Sequence, residues 1–91
     1  MIKKKTSLLI KLSQSSNFNI SVAESCTGGL LSSSIIEQSG ASNIFNSGIV
    51  TYSNKAKTKL LNVDSKLIKK YGAVSNETSI AMAKGLFQIT K

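Results

Sequence analysis

The fold is decided by the stretch Asn19-Ile20-Ser21-Val22-Ala23-Glu24-Ser25-Cys26-Thr27-Gly28-Gly29-Leu30. Its first five residues alternate polar and apolar side chains and include β-branched ones, which predicts a strand over residues 19–23. Hydroxyl-bearing residues and glycines follow, which indicates a turn. From Leu30 onward the apolar spacing predicts a helix that glycine ends near Gly40. A strand, a turn and a helix in this order form the first half of a β-α-β unit.

The rest of the chain supplies a second strand and four more helices. Upstream, Leu8, Leu9 and Leu12 share one face of an amphipathic helix predicted over residues 3–13. Downstream, β-branched and aromatic residues predict a strand over residues 48–52. Three helices are then predicted. The first covers residues 55–61, and the second is capped by Asp64 and ends at Gly72. The third covers residues 76–89 after the cap Ser75, and its predicted core-facing residues are Ile80, Ala83, Leu86 and Phe87.

This order of elements predicts the α/β class, as a partial layered α/β/α domain with a mostly parallel sheet. With 91 residues the chain forms one domain, over residues 1–91. Two strands are few for a sheet covered on both faces, and the last helix leads toward a further strand. We therefore expect a truncated version of the complete fold.

The charge is strongly positive but comes from one residue type. Twelve lysines and no arginine oppose four acidic residues, for a formal net charge of +8. Lysine lacks the planar guanidinium group with which arginine forms two parallel hydrogen bonds to a phosphate or a guanine base. Most surface lysine charges are simply solvated. Nucleic-acid binding is therefore the partner class that we rank last.

Cysteine and histidine usage excludes several kinds of site. Cys26 is the one cysteine and the chain has no histidine, so it can form neither an internal disulfide nor a Cys/His metal cluster. No cofactor is expected. The basic start resembles a secretory signal, but Lys11 interrupts the apolar run, and no stretch is long enough to span a bilayer. We expect a soluble cytoplasmic protein that does not bind membranes.

The turn after the first strand is the first candidate site. Ser25, Thr27 and Gly28 precede a helix, where free amides and the positive end of the helix dipole favour an anion such as phosphate or carboxylate. An ordinary capped turn uses the same residue types, so both interpretations stay open.

The second candidate site combines a lysine with a hydroxyl. Lys57 lies in the first turn of a predicted helix, where the helix dipole disfavours an ammonium, so it could serve as a general base. Ser42, in the loop after Gly40, is a possible nucleophile for that base, because a chain without histidine cannot form a Ser-His-Asp triad. The alternatives are a solvated surface lysine and one unremarkable serine among sixteen.

Three segments together resemble the CinA C-terminal domain family. They are Val22-Ala23-Glu24-Ser25-Cys26-Thr27-Gly28-Gly29-Leu30, then Gly40-Ala41-Ser42 with Phe45 and Gly48-Ile49-Val50-Thr51-Tyr52-Ser53-Asn54-Lys55-Ala56-Lys57, and finally Tyr71-Gly72-Ala73-Val74-Ser75. The resemblance covers about residues 5–91 in the family's order. It implies a nicotinamide-nucleotide amidohydrolase, which converts nicotinamide mononucleotide to nicotinate mononucleotide and ammonia.

The resemblance also implies roles for single residues. Ser42 matches the proposed nucleophile, Lys57 the base, and Tyr52 a residue lining the same site, while Ser25, Thr27 and Gly28 fall near the substrate. The family's second half, with its Gly-Ile-Ala-Gly-Pro-type segment and an active-site arginine, has no counterpart here. We therefore expect little or no activity from this chain alone. A homodimer, a complementing C-terminal fragment that restores a split enzyme, and a non-catalytic basic nucleotide-binding fragment are the alternatives.

Overall fold

The computed structural model describes the backbone of residues 2–91 and the side chains of residues 4–91. Its elements follow the predicted order, with a short 3-10 turn at Ala41–Asn43 before the second strand. The helices are α1 (Ile2–Ser16), α2 (Leu30–Ile36), α3 (Asn54–Leu61), α4 (Ser65–Tyr71) and α5 (Asn76–Thr90), and the strands are β1 (Ile20–Glu24) and β2 (Phe45–Val50).

The two strands pair in parallel, which confirms the α/β prediction. The register places Ile20 opposite Phe45 and Glu24 opposite Val50. β2 therefore begins three residues before the predicted start and ends at Val50, because pairing with β1 rather than β-propensity sets its limits. Thr51 continues the pairing by one hydrogen bond, from its amide to the Glu24 carbonyl oxygen at 2.9 Å.

Helices cover the sheet on both faces. One cluster of buried residues joins Ile10 of α1 and Ile35 of α2 to Ile44, against Ile20 and Val22 of β1. The other cluster lies on the opposite face, because Ala23 and Val22 point to opposite sides of a strand. Its buried members are Leu61, Val63, Ile68, Met82 and Leu86 of α3, α4, α5 and the segment between α3 and α4. The layered α/β/α prediction is therefore correct.

The predicted helix boundaries hold where a cap fixes them. The hydroxyl of Ser53 accepts a hydrogen bond from the Ala56 amide, and the Asp64 carboxylate accepts one from Lys66. Ser75 accepts one from the Thr78 amide. Gly72 follows α4 with φ +89, a conformation that glycine adopts without strain.

Two predicted apolar faces are only partly correct. Leu9 of α1 packs against a buried cluster as predicted. On α1, Leu8 and Leu12 are 68% and 55% exposed, while Thr6, Ile10 and Ser13 are buried. The small polar side chains Thr6 and Ser13 of this helix thus face the protein core. The Ser13 hydroxyl donates a hydrogen bond to the Phe18 carbonyl oxygen.

On α5, only Leu86 of the predicted stripe is buried. Ile80 and Phe87 are 56% and 63% exposed, and Ala83 is also exposed. The buried residues are Thr78, Met82 and Leu86, which repeat every four residues and face α3 and β1.

Candidate functional site

The carboxyl ends of β1 and β2 bring two predicted segments together. Ser25 follows Glu24 at the end of β1, and Thr51 donates its amide to Glu24 at the end of β2. Because neighbouring strands lie about 4.8 Å apart, the turn that contains Ser25 and the segment that contains Tyr52 lie side by side at the carboxyl end of the sheet. Ligands of open α/β sheets bind at this edge.

The Glu24 carboxylate lies at this end of the sheet and is held by hydrogen bonds from the turn and from α2. It is 4% exposed, and its carboxylate accepts four hydrogen bonds. Thr27 Oγ1 and the Leu31 amide donate to Oε1 at 2.6 and 2.7 Å, and the Ser32 amide and hydroxyl donate to Oε2 at 3.0 and 2.7 Å. Burial alone would raise the pKa of Glu24, but these hydrogen bonds outweigh it and lower the pKa from 4.5 to about 2.

Glu24 takes the position that the sequence suggested for an external anion. Its carboxylate binds the amides of Leu31 and Ser32 in the first turn of α2, which are the free donors of that helix end. Thr27 points its hydroxyl at the same carboxylate, and Gly28 adopts φ +59 in the turn. The turn therefore carries its own anion, and the contribution of Ser25, Thr27 and Gly28 to substrate binding stays a prediction.

Lys57 is fully buried. Its exposed fraction is 0%, the lowest value among the charged side chains described, and Nζ donates to the Tyr52 carbonyl oxygen at 2.9 Å. The acceptor is a carbonyl rather than a carboxylate, although an ammonium in a protein interior normally needs an opposite charge. The interpretation of Lys57 as a solvated surface lysine is therefore wrong.

Tyr52 contributes its backbone rather than its ring. Its side chain is 74% exposed, so the ring projects into solvent, while its carbonyl oxygen accepts the hydrogen bond from Lys57 Nζ. The predicted role of the ring in lining a substrate site stays a prediction.

Ser42 does not lie beside Lys57. Ser42 is exposed in the 3-10 turn Ala41–Asn43, before β2 begins, whereas Lys57 follows the end of that strand. A strand of this length spans about 17–20 Å, so the two residues lie at opposite ends of β2. Their expected proximity within one chain is wrong, because the sheet separates segments that are close in sequence.

Two residues of this edge were missed by sequence reasoning. Thr51 is 0% exposed, and its Oγ1 has no hydrogen-bond partner among the residues that the structure describes. Glu24 directly follows the strand predicted over residues 19–23, and no role was predicted for it. The available signal was an acidic residue directly after an apolar strand in a chain with four acidic residues.

A groove of about 770 Å³ opens next to the turn. Its lining includes Ser25, Cys26 and Thr27, and it runs between α2 and α5 along β1. Among the side chains described, Ser42, Tyr52 and Lys57 are not part of this lining. The groove thus reaches Ser25 and Thr27 of the predicted substrate-binding residues, but its lining includes neither Gly28 nor the predicted catalytic residues.

A second groove, of about 490 Å³, lies between α3 and α4. Lys55, Lys59 and Lys69 line it together with the hydroxyl residues Thr58 and Ser65. Three lysine side chains thus surround one depression.

Within residues 4–91, no group of three His, Cys, Asp or Glu side chains is placed to hold a metal ion. Among the helices described, none combines the length and the apolar character needed to cross a membrane. Cys26 is exposed and not part of a disulfide.

The sequence matches one family over nearly its whole length. The model of the CinA C-terminal domain family matches residues 2–91. A CinA-like protein of Colwellia psychrerythraea is 54% identical over 72 residues, which are 79% of this chain and 17% of that protein. A CinA-like protein of Kosmotoga olearia is 47% identical over 79 residues, which are 87% of this chain and 19% of that protein.

Solved structures show the same fold. A competence-damaged protein (CinA) superfamily protein from Escherichia coli superposes with a TM-score of 0.94 at 31% identity, over 99% of this chain and 52% of that chain. The competence/damage inducible protein CihA from Agrobacterium tumefaciens superposes with a TM-score of 0.90 at 36% identity, over 96% of this chain and 53% of that chain. The chain spans about half the length of these solved relatives and about a fifth of the curated ones.

Proposed function

Because this chain belongs to the CinA C-terminal domain family, we propose that it forms part of a cytoplasmic amidohydrolase that acts on nicotinamide mononucleotide. The products are nicotinate mononucleotide and ammonia. The relatives are named for competence and damage, so the reaction and the substrate are our proposal. Its support is the resemblance of the motifs together with the geometry at the carboxyl ends of the strands.

One observation carries the proposal. Lys57 is buried after the end of β2, and among the described residues its acceptor is a neutral one, the Tyr52 carbonyl oxygen. Fully burying an ammonium without a counter-charge is expensive, and groups kept in such environments are often functional. A buried amine next to a hydroxyl nucleophile is the arrangement that Ser-Lys catalysis requires.

The geometry favours Ser25 over Ser42 as the hydroxyl that works with Lys57. Ser25 follows β1 at the edge where Thr51 and Tyr52 end β2, whereas Ser42 lies at the other end of that strand. We therefore propose Ser25 as the nucleophile within one chain. Ser42 could act on the same substrate only from another chain.

The proposed reaction has two steps. Ser25 Oγ attacks the carboxamide carbon while its proton passes to the amine of Lys57, and that proton then leaves with the amide nitrogen as ammonia. Water next attacks the acyl carbon and gives a proton to Lys57, and Lys57 returns that proton to Ser25 Oγ as the acyl–oxygen bond breaks and the carboxylic acid leaves. The sum is one amide and one water converted to one carboxylic acid and one ammonia.

The test is ammonia release from nicotinamide mononucleotide. The assay uses the full chain alone and the chain mixed with the half of the E. coli relative that it does not match. We expect Ser25→Ala and Lys57→Met to abolish release in the mixture, and the matched serine control Ser42→Ala to retain it. No release under either condition would contradict the amidohydrolase, and loss in Ser42→Ala alone would return the nucleophile to Ser42.

A second candidate function is anion binding without catalysis. The groove between α3 and α4 presents Lys55, Lys59 and Lys69, which suits a phosphate-bearing nucleotide. Titration with adenosine diphosphate should then show affinity that falls as salt is raised. Lys59→Glu should remove binding, and the control Lys84→Glu, outside this groove, should not.

A further inference from the structure

Thr51 carries a buried hydroxyl that the fold leaves without a partner. The residue is 0% exposed, and its Oγ1 has no hydrogen-bond partner among the residues that the structure describes. Its amide, in contrast, donates to the Glu24 carbonyl oxygen at 2.9 Å, so the sheet fixes the backbone at this position. An unsatisfied buried hydroxyl costs stability, and catalytic sites are among the places where proteins contain such groups.

Lys57 has the complementary property, because it has more donors than acceptors. A protonated lysine has three N–H donors, and a neutral amine has two. The Tyr52 carbonyl oxygen binds one of them at 2.9 Å, and the structure shows no second acceptor for Nζ among the described residues. Since the side chain is 0% exposed, bulk water does not reach the remaining donors. The amine therefore lacks a second acceptor, and Thr51 has an acceptor without a donor.

Thr51 and Lys57 lie on the same side of the sheet. Side chains alternate along a strand, so Thr51, which continues the pairing of β2, points to the same face as Ile49. Ile49 packs against the buried cluster that contains Leu61 of α3. Leu61 follows Lys57 by four residues, so the two share one face of that helix. Lys57 Nζ also bonds the carbonyl oxygen of Tyr52, the residue joined directly to Thr51.

A lysine that acts as a base needs a lone pair with a fixed direction. In a neutral amine, two N–H bonds and the lone pair occupy the three staggered positions around Nζ. The Tyr52 carbonyl oxygen holds an N–H in one of these positions, which leaves two positions for the lone pair. An acceptor at one of the two holds the second N–H there. The lone pair then has a single direction.

We propose that Thr51 is a positioning residue whose Oγ1 accepts the second N–H of Lys57 during proton transfer. This bond directs the lone pair of the amine toward the Ser25 hydroxyl. The proton that leaves Ser25 becomes the third N–H of the ammonium, so the bonds to Thr51 and Tyr52 persist through the transfer. Thr51 itself forms no bond with the substrate. The inference rests on the proposed reaction of Ser25 and Lys57.

Steady-state kinetics of ammonia release give the first test, with the full chain mixed with the half of the E. coli relative that it does not match. Thr51→Val keeps the shape of the side chain and removes the acceptor, so kcat should fall about tenfold while KM for nicotinamide mononucleotide stays unchanged. Thr51→Ser keeps a hydroxyl and should restore most of kcat. The matched control Thr78→Val removes a buried hydroxyl that donates to the Gly72 carbonyl oxygen, and should leave kcat unchanged. A raised KM with unchanged kcat in Thr51→Val would overturn the positioning role.

Hydrogen exchange of the Lys57 ammonium tests the pairing without the reaction. Nuclear magnetic resonance of the full chain, with its lysines labelled at Nζ, measures how fast these protons exchange with water. Without the second acceptor the ammonium should turn to water more often, so exchange at Lys57 should be about tenfold faster in Thr51→Val and close to the parent rate in Thr51→Ser. Global unfolding does not explain this result, because loss of an unpaired buried hydroxyl should make Thr51→Val more stable. Unchanged exchange in Thr51→Val, or equal acceleration in Thr78→Val, would overturn the pairing.

The two measurements separate the inference from the proposed reaction. If the parent mixture releases no ammonia, the reaction is contradicted, and the exchange rates alone decide whether Thr51 pairs with Lys57. If the parent releases ammonia and Thr51→Val matches it in both kcat and exchange, the reaction stands and the role of Thr51 is overturned. A lower kcat together with faster exchange, both reversed in Thr51→Ser, is the expected result.

Discussion

Lys57, at 0% exposure, donates a hydrogen bond from Nζ to the backbone carbonyl oxygen of Tyr52 at 2.9 Å. This hydrogen bond ties the first turn of α3 back to the segment that leaves β2. It explains why Tyr52 acts through its backbone while its ring, 74% exposed, stays in solvent. The site therefore contains a buried lysine whose amine is held by a backbone acceptor.

Lys57 should contribute to stability by packing more than by charge. We expect Lys57→Met, which keeps the volume and removes the ammonium, to unfold in urea with a free energy within about 1 kcal/mol of the parent. Lys57→Ala should lose about 2–4 kcal/mol because it leaves a cavity. Equal losses in the two variants would show that the hydrogen bond to Tyr52 dominates instead.

Glu24 should make the fold sensitive to acid. Its pKa is lowered from 4.5 to about 2, so between these values the unfolded chain binds more protons than the folded one. The free energy of unfolding therefore rises with pH across this window by about 3 kcal/mol from this group, fully present above pH 4.5 and lost as pH falls through about 2. Urea titrations at several pH values measure the slope.

Glu24→Gln is the matched variant for this effect. The amide keeps the shape of the side chain but cannot titrate, so the slope between pH 2 and 4.5 should flatten. At neutral pH the variant should be less stable by about 2–3 kcal/mol, since the donors of Thr27 and Ser32 lose a charged acceptor. An unchanged slope would assign the acid sensitivity to other carboxylates.

Thr51 carries a hydroxyl that the fold does not satisfy within the described residues. Because Oγ1 is buried without a partner, Thr51→Val should raise the free energy of unfolding by about 1 kcal/mol. Thr78 is the matched control, since it is also 0% exposed but donates to the Gly72 carbonyl oxygen at 2.7 Å. Thr78→Val should therefore lose about 1–2 kcal/mol. Destabilisation of both variants to the same extent would reveal a partner for Thr51.

Gly85 should be required where α5 crosses α3. A Cβ at this position would lie 1.8 Å from the Leu61 carbonyl oxygen, a backbone atom that cannot rotate away. Gly85→Ala should therefore destabilise the protein by about 1–3 kcal/mol, although alanine is the better helix former. Ser79→Ala on an exposed position of α5 should change stability by less than about 0.5 kcal/mol. A more stable Gly85→Ala variant in thermal unfolding would mean that the helices separate at this point.

The local elements were predictable because their signals are local. Alternation of side chains predicts β1, and the caps Ser53, Asp64 and Ser75 each satisfy amides within three residues of themselves. The order of elements then fixes the layered α/β class, since helices between parallel strands must cover the sheet.

The faces of the helices were not predictable in the same way. Leu8 and Leu12 of α1 looked like core residues, yet Ile10 is the buried apolar residue of the described part of that helix. Periodicity shows that a helix has an apolar side, but the neighbouring elements decide which side is covered. The exposed residues Ile80 and Phe87 of α5 have the same explanation.

The amino-acid sequence by itself determined the order of strand, turn and helix and the family motifs. It also supplied the candidates Ser25, Tyr52 and Lys57, because all of these depend on neighbours along the chain. Only the tertiary structure decided that Glu24 fills the start of α2, that Lys57 is buried, and that Ser42 lies a strand's length away. Each of these facts depends on which end of a strand a residue occupies and on the register of β1 with β2, which join positions more than twenty residues apart.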